Sequence, residues 1–293
     1  MLHNFLHLSR ITGFIKENEN TFDVQRTWDY LRVFNSFEWA DFGQFFSFLG
    51  WIGVSAFIFV SGVGLVKKYE NKLFLIDAKE YVFHSWKKLA FLLLPGISYF
   101  LVFSIIDGTW LTVIPKSALQ LTLMNNFFIP IITFSPGVYW YFGLAFELYL
   151  LFLLLRRSSA KSLFYFGWGI VGIQVIVVLV FGLESGLWSW VRHNFLGWGQ
   201  VFIMGMIVGK TGIEKYLPNK LLPLLLFAIL SLCLLPLLML NVWTWLLIVP
   251  FVAALFFVFL AGAASEVRLW KTVGLWLGRY SAYFFVVHPL QEV

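Results

Sequence analysis

The feature that most constrains the fold is an apolar stretch, residues 136–155, that holds a single carboxylate near its middle. About 20 apolar residues in a row can cross a bilayer as a helix. A glutamate inside hydrocarbon is costly unless it is paired, protonated or facing a polar cavity, so Glu147 needs a compensating environment. The aromatic residues 139–141 indicate an interfacial anchor at one end, and the arginine pair 156–157 indicates a cytoplasmic stop at the other.

The composition of the whole chain is that of a membrane protein. Of its 293 residues, 60% are hydrophobic and only 12% are charged, whereas soluble domains carry about a quarter charged residues. The net charge of +6 is concentrated in short segments between apolar runs, which is typical of cytoplasmic loops and excludes a nucleic-acid partner. The single cysteine, Cys233, lies in an apolar run and excludes an intramolecular disulfide. Membrane lipid is the first expected partner.

Hydropathy predicts an all-α, polytopic membrane helix bundle of about 9–10 helices, because lipid-exposed backbone must satisfy its own hydrogen bonds. The first and last helices are expected to be incomplete, as if the chain were truncated at both ends. No repeat or linker divides residues 1–293, which predicts a single domain. The predicted complete spans are residues 46–66, 89–107, 137–155, 163–183, 195–209, 221–240 and 242–264, and a last span starts at Trp270.

Loop charges predict the orientation of the bundle in the inner (plasma) membrane. The acidic, aromatic segment 16–45 is predicted to be an extracytoplasmic loop, and the lysine-rich segment 67–88 is predicted to be a cytoplasmic basic loop. Residues 118–134 are apolar but short and contain Pro130. They are interpreted as interfacial or re-entrant, because a full span there would place the arginine pair 156–157 outside.

Among the polar side chains of the predicted complete and partial helices, the candidates for chemistry are His3, Asn4, His7, Ser61, Glu147 and His288. Two lone histidines and a glutamate in one small bundle favour a polar pathway for a reaction or for transport. Ser61 beside Gly62 is equally consistent with close helix packing, and His84 and His193 are interpreted as loop residues. His3 and His7 are spaced i, i+4, but two ligands alone do not make a metal site, so none is predicted. The sequence contains no phosphate-binding loop or nucleophile elbow.

Four motifs, in order over nearly the whole chain, resemble those of one known family. Residues 57–62 are similar to its Phe-Phe-x-x-Ser-Gly-Phe, and residues 83–89 stand in the place of its basic stretch before the third helix. Residues 140–151 are similar to its Trp-x-x-x-x-x-Glu-x-x-Tyr-Leu-Leu helix, and residues 277–290 to its Leu-Gly-x-x-Ser-x-x-x-Tyr-Leu-x-His-Pro-Leu ending. The family is the acyltransferase 3 family of integral membrane O-acyltransferases.

The resemblance implies about ten helices, acyl-CoA as a cytoplasmic co-substrate without a tightly bound cofactor, and an acceptor hydroxyl presented from the other side of the membrane. In the family, a catalytic histidine follows an arginine by eleven positions in the first helix, and His3 matches that histidine. The arginine would precede Met1, so the chain departs from the family pattern there.

The resulting hypothesis is an acyltransferase of groups other than amino-acyl groups. It moves an acyl group, acetyl in the leading version, from acyl-CoA to a hydroxyl of an extracytoplasmic glycan or lipid-linked sugar. His3 is the expected general base. The predicted site comprises the catalytic residues His3, Glu147 and His288 and the acyl-CoA-binding residues Lys87, Lys88 and Ser61. Two alternatives stay open, a transporter or flippase for a lipid-linked sugar and an inactive partial family member.

Overall fold

A computed structural model describes residues 21–36, 39–69, 76–128, 139–213, 218 and 220–287 of the chain. These residues form twelve α-helices and one short 3₁₀ turn, without a strand among them, which confirms the all-α prediction. The helices are α1 (Val24–Ser36), α2 (Trp39–Tyr69), α3 (Ala78–Ile106), α4 (Trp110–Leu121), α5 (Trp140–Leu155), α6 (Ala160–Phe181), α7 (Gly186–Arg192), α8 (Phe195–Thr211), α9 (Leu221–Leu238), α10 (Val242–Leu247), α11 (Val249–Ser265) and α12 (Arg268–Val287).

Four of the described helices are long and apolar enough to cross a membrane, namely α3, α6, α9 and the part Phe48–Tyr69 of α2. Helices α5 and α11 are also apolar but have 16 and 17 residues. Sixteen residues rise about 24 Å, which is slightly less than the hydrocarbon thickness of about 30 Å. The protein is therefore a multi-pass membrane helix bundle.

Helices extend into both segments that the sequence predicts to be loops. Helix α1 lies within residues 16–45, where the Asp23 side chain accepts a hydrogen bond from the Arg26 backbone N–H (3.1 Å). The basic segment 67–88 is mostly helical, because α2 continues to Tyr69 and α3 begins at Ala78. Charged side chains are exposed in the terminal turns of these helices, so a charge pattern alone does not separate them from loops.

Two other predicted segments are interrupted. The predicted span 242–264 consists of α10 and α11, which meet at Ile248, with a proline in the first turn of α11. Proline has no backbone N–H and suits the start of a helix, which explains why a new helix begins there. In the apolar segment 118–134, α4 ends at Leu121 and a 3₁₀ turn follows. The interfacial or re-entrant placement of this segment stays a prediction.

The chain divides into two compact units, of which the first comprises Met1–Ser61 and Thr211–Ser281. Helix α9 packs along α11, where the rings of Phe227 and Phe259 stack with centroids 5.2 Å apart. Helix α1 packs on α2 through an edge contact between Tyr30 and Phe48, also 5.2 Å apart. The prediction of a single domain is not tested by this division.

The second unit comprises Gly62–Lys210 and Ala282–Val293. Its most buried described helices are α5 and α8, and α3 packs against α5. Tyr139 is only 1% exposed and Trp140 only 8%. The Tyr139 hydroxyl lies against the backbone of Gly96 in α3, and the Trp140 ring packs on Trp198 of α8. The prediction that Tyr139 and Trp140 anchor the helix in the membrane interface is therefore wrong, because both side chains pack inside the protein.

Candidate functional site

Glu147 lies at the middle of α5 and is 3% exposed. Its Oε2 accepts a hydrogen bond from the backbone N–H of Phe195, the first residue of α8, at 2.7 Å. Its Oε1 is buried and has no hydrogen-bond partner among the described residues. A helix N-terminus carries unpaired N–H groups and partial positive charge, which stabilises a carboxylate. One carboxylate oxygen is thus held by the protein, and the other can accept a hydrogen bond.

The connection between α7 and α8 presents the Phe195 N–H to this carboxylate. The Asn194 side chain accepts from the Leu196 N–H at 2.9 Å and donates to the Trp190 carbonyl at 3.0 Å. Asn194 therefore caps the start of α8 and fixes the end of α7. With the Leu196 N–H already satisfied, the Phe195 N–H is the donor that α8 offers to Glu147.

A pair of asparagines joins the connection between α7 and α8 to α5 by hydrogen bonds. Asn126 Nδ2 donates to the carbonyl oxygens of Trp140 (2.9 Å) and His193 (2.7 Å). Its Oδ1 accepts from Asn125 Nδ2 at 2.8 Å. The amides lie against Gly143, where an added Cβ would come within 2.7 Å of Asn125 Oδ1. The absence of a side chain at Gly143 therefore makes room for the asparagine pair.

Gly143 and Glu147 are four residues apart and face the same side of α5. Asn125 Oδ1, which lies against Gly143, is buried and lacks a hydrogen-bond donor in the described part of the chain, as does Glu147 Oε1. Buried acceptors without partners are rare, and they mark places where a water molecule or a ligand hydroxyl can donate. This side of α5 can therefore receive a donor such as an alcohol.

A glutamine pair continues the polar cluster towards α6. Gln174 Nε2 donates to Gln200 Oε1 at 2.9 Å, and the same nitrogen also donates to the Leu196 carbonyl. Gln200 Nε2 in turn donates to the Gly197 carbonyl at 3.2 Å. These bonds tie α6 to the first turn of α8, next to the Phe195 N–H that Glu147 accepts.

Arg192 at the end of α7 is 3% exposed. Its guanidinium lies 4.4 Å from the ring centroid of Trp198 and 5.8 Å from that of Trp188. Its Nη1 donates to the Gly197 carbonyl at 3.3 Å, while the Trp198 indole donates to the Arg192 carbonyl at 2.7 Å. Cation–π contacts of this kind stabilise a desolvated arginine. Arg192 is therefore a packed residue beside the connection between α7 and α8, and its guanidinium is shielded from solvent.

His193, which follows Arg192, is held in one orientation. Its Nδ1 lies 2.6 Å from the Ser189 carbonyl oxygen, so this nitrogen carries the proton of the neutral ring. The ring meets Trp140 edge to face, with centroids 5.4 Å apart. Burial lowers the pKa of His193 below its ordinary value near 6.5; the bond to Ser189 opposes this shift, and the charge of Arg192 adds to it.

The lowered pKa predicts a loss of stability on acidification. As the pH falls from above about 6.5 towards the folded-state pKa, the unfolded chain binds a proton on His193 that the folded chain does not, so the free energy of unfolding decreases. His193→Asn, which can still donate to the Ser189 carbonyl, is expected to reduce the decrease in melting temperature between about pH 7.5 and about pH 5.5. His84→Asn, at an exposed histidine, is the control and is expected to leave the decrease unchanged. Equal decreases in wild type and His193→Asn would contradict the prediction.

The structure brings only one of the predicted catalytic residues into this cluster, Glu147. His3 and His288 lie outside the described residues, and their roles stay predictions. Lys87 and Lys88 are exposed on α3. The Ser61 hydroxyl donates to the Phe57 carbonyl of its own helix at 2.7 Å.

Sequence reasoning misses the residues that hold Glu147 in place. These are Asn125, Asn126, Gln174, Arg192, Asn194 and Gln200. The available signal is that each is a polar side chain beside or within an apolar run, where an unsatisfied polar group is expensive. Their partners could not be identified in this way, because the contacts join positions as far apart as Asn126 and His193.

The helices and this cluster define a class of protein, a polytopic membrane protein with a buried polar site between its helices. The chain belongs to the acyltransferase 3 family, since the family model described as an acyltransferase domain matches residues 23–291. The match confirms the resemblance found in the four motifs, and it makes the protein a membrane acyltransferase at the level of the family. In comparisons with curated proteins and with solved structures, the chain matches none of them.

Proposed function

We propose that the protein transfers an acyl group, acetyl in the first instance, from acyl-CoA to a hydroxyl of an extracytoplasmic glycan or lipid-linked sugar at the inner membrane. The observation that carries this proposal is the match of residues 23–291 to an acyltransferase domain. The buried Glu147 oxygen, which has no donor in the described part of the chain, supports it, because a sugar hydroxyl is a donor of the required kind.

In the proposed reaction, the imidazole of His3 takes the proton of the acceptor hydroxyl. The acceptor oxygen attacks the thioester carbonyl carbon, the C–S bond breaks, and the CoA thiolate leaves and is protonated. Glu147 and His288 orient the acceptor or His3. General base catalysis of this kind contributes about 10²–10⁴-fold in rate.

The basic side chains of α3 are assigned to the co-substrate. Lys87 and Lys88 are exposed, so their ammonium groups are accessible to the phosphates of acyl-CoA. Ser61 is assigned to the same site from the family motif. No step of the proposed reaction depends on a tightly bound cofactor.

Membranes that contain the protein are expected to transfer label from acetyl-CoA to a glycan fraction and to release CoA thiol in equal amount. His3→Ala is expected to lower the transfer rate by about 100-fold or more. Lys87→Gln/Lys88→Gln is expected to raise the KM for acetyl-CoA about tenfold, because two charge-assisted contacts are lost. Lys79→Gln, one exposed lysine earlier on the same helix, is the control and should leave KM unchanged.

Two other results would contradict the proposed mechanism or the proposed function. Transfer at the wild-type rate in His3→Ala would remove His3 from the mechanism. Movement of a lipid-linked sugar that depends on a pH gradient and consumes no acyl-CoA would replace the proposal by the transporter alternative.

A further inference from the structure

Helices α6 and α8 of the second unit run antiparallel and end at the same level. An added Cβ on Gly167 of α6 would lie 3.5 Å from Ile203 of α8, which makes this pair a contact point. From there, seven residues back along α6 lead to Ala160, its first residue, and seven residues forward along α8 lead to Lys210. Both steps cover about 10 Å along the helix axis.

The C-terminal end of α5 lies at this level too. Lys210 Nζ donates to the carbonyl oxygen of Arg156, the residue that follows α5, at 2.8 Å. A lysine at this position satisfies a carbonyl that the helix leaves without an internal partner. Three helix ends therefore meet, and Lys210 joins two of them.

The residues at these three ends carry an excess of positive charge. We define the basic cluster as Arg156, Arg157, Lys161 and Lys210. Residues 156–161 contain no acidic side chain, and Arg157 and Lys161 are exposed. Arg156 and Lys210 are half-buried. The predicted topology places this end of the helices on the cytoplasmic side, where the leaflet surface is negatively charged.

Large apolar side chains are exposed directly beside the basic cluster. Leu154, in the last turn of α5, is 73% exposed, and Phe164 and Tyr165 are exposed in the first turns of α6. Cationic groups next to an exposed apolar surface match a molecule in which a phosphate is joined to acyl chains. A phospholipid has this arrangement, whereas the nucleotide phosphates of CoA are far from its acyl group.

We propose that the basic cluster is a binding site for an anionic phospholipid, with the headgroup phosphate on Arg157, Lys161 and Lys210 and an acyl chain along Leu154 and Phe164. The site is independent of the proposed acyl transfer. It involves the ends of α5, α6 and α8, whereas Glu147 lies about two turns further into α5.

Binding of phosphatidylglycerol to the purified full chain, followed by native mass spectrometry, tests this site. Arg157→Gln/Lys161→Gln is expected to weaken phosphatidylglycerol binding about 20-fold, since each cation near an anionic headgroup contributes a factor of about five. Arg268→Gln/Lys271→Gln removes one arginine and one lysine from the exposed surface of α12. This matched control is expected to change binding by less than about twofold.

Two further measurements control for misfolding and distinguish a phospholipid headgroup from the phosphates of CoA. Arg157→Lys/Lys161→Arg preserves the charges and is expected to retain binding, with an unchanged melting temperature. Displacement of phosphatidylglycerol by adenosine 3′,5′-bisphosphate would assign the cluster to CoA and overturn the lipid proposal. Equal losses in both glutamine double variants, or equal affinity for phosphatidylcholine, would also overturn it.

Discussion

Gly62→Ala is expected to destabilise the protein by about 3 kcal/mol, whereas Gly64→Ala is expected to leave its stability unchanged or to raise it by up to about 1 kcal/mol. Gly62 lies where α2 meets α8, and an added Cβ would overlap the Phe202 carbonyl oxygen and lie 3.0 Å from the Met206 nitrogen. Both are backbone atoms, so they cannot move aside without shifting α8. An added Cβ at Gly64 meets no atom of the described residues within 4 Å.

The two variants form a matched pair, since each adds one methyl group to the same helix two residues apart. Their melting temperatures and their yields of monodisperse protein in detergent give the comparison. The expected result is a large loss for Gly62→Ala and none for Gly64→Ala. Similar losses in both would show that the close approach of the two helices does not determine the effect, since alanine favours a helix over glycine at either position.

Glu147→Ala and Glu147→Gln are expected to separate the structural and chemical roles of the carboxylate. The alanine variant leaves the Phe195 N–H without an acceptor and is expected to lose about 1–3 kcal/mol of stability. The glutamine variant keeps a carbonyl oxygen for that N–H, so its melting temperature is expected to stay near that of the wild type. Its rate of acyl transfer is expected to fall about 100-fold, because the acceptor is no longer held by a carboxylate.

Glu184→Gln is the matched control, since it removes one carboxylate from an exposed position. It is expected to leave both stability and transfer unchanged. A Glu147→Gln variant with wild-type transfer would restrict Glu147 to its structural role at the start of α8. An unstable glutamine variant would show that the charge itself is needed for folding.

The sequence predicts the long helices well, because membrane spans need long apolar runs and hydropathy measures them directly. It misses the short helices α1 and α7, which lie outside the long apolar runs. It also merges α10 and α11 into one span, because the whole of residues 242–264 is apolar and hydropathy does not detect the break at Ile248. The Tyr139 and Trp140 prediction fails for a related reason. Aromatic residues at the end of an apolar run look alike whether they face headgroups or a neighbouring helix, and only the packing against Gly96 and Trp198 decides.

The sequence alone predicts one residue of the candidate site. Glu147 is conspicuous because it is a lone acid in an apolar run, and the family motif marks it again. The residues that hold it are less conspicuous, since Asn126, Arg192 and Asn194 also occur in ordinary loops. Their roles follow from contacts that join different helices, and no local pattern encodes those contacts. His3 and His288 lie outside the described residues and stay predictions.

The hydrogen bond between Glu147 and Phe195 has a consequence for biosynthesis. Its two partners are 48 positions apart, so at about 5–20 residues per second the ribosome delivers the second about 2–10 s after the first. During that interval α5 must enter the bilayer with an unpaired carboxyl group. Its ten leucine and phenylalanine residues favour insertion by about 3–6 kcal/mol in total, against about 3 kcal/mol for an acidic group at the helix centre. The apolar residues of α5 thus allow this helix to insert and stay in the membrane before α8 is synthesised.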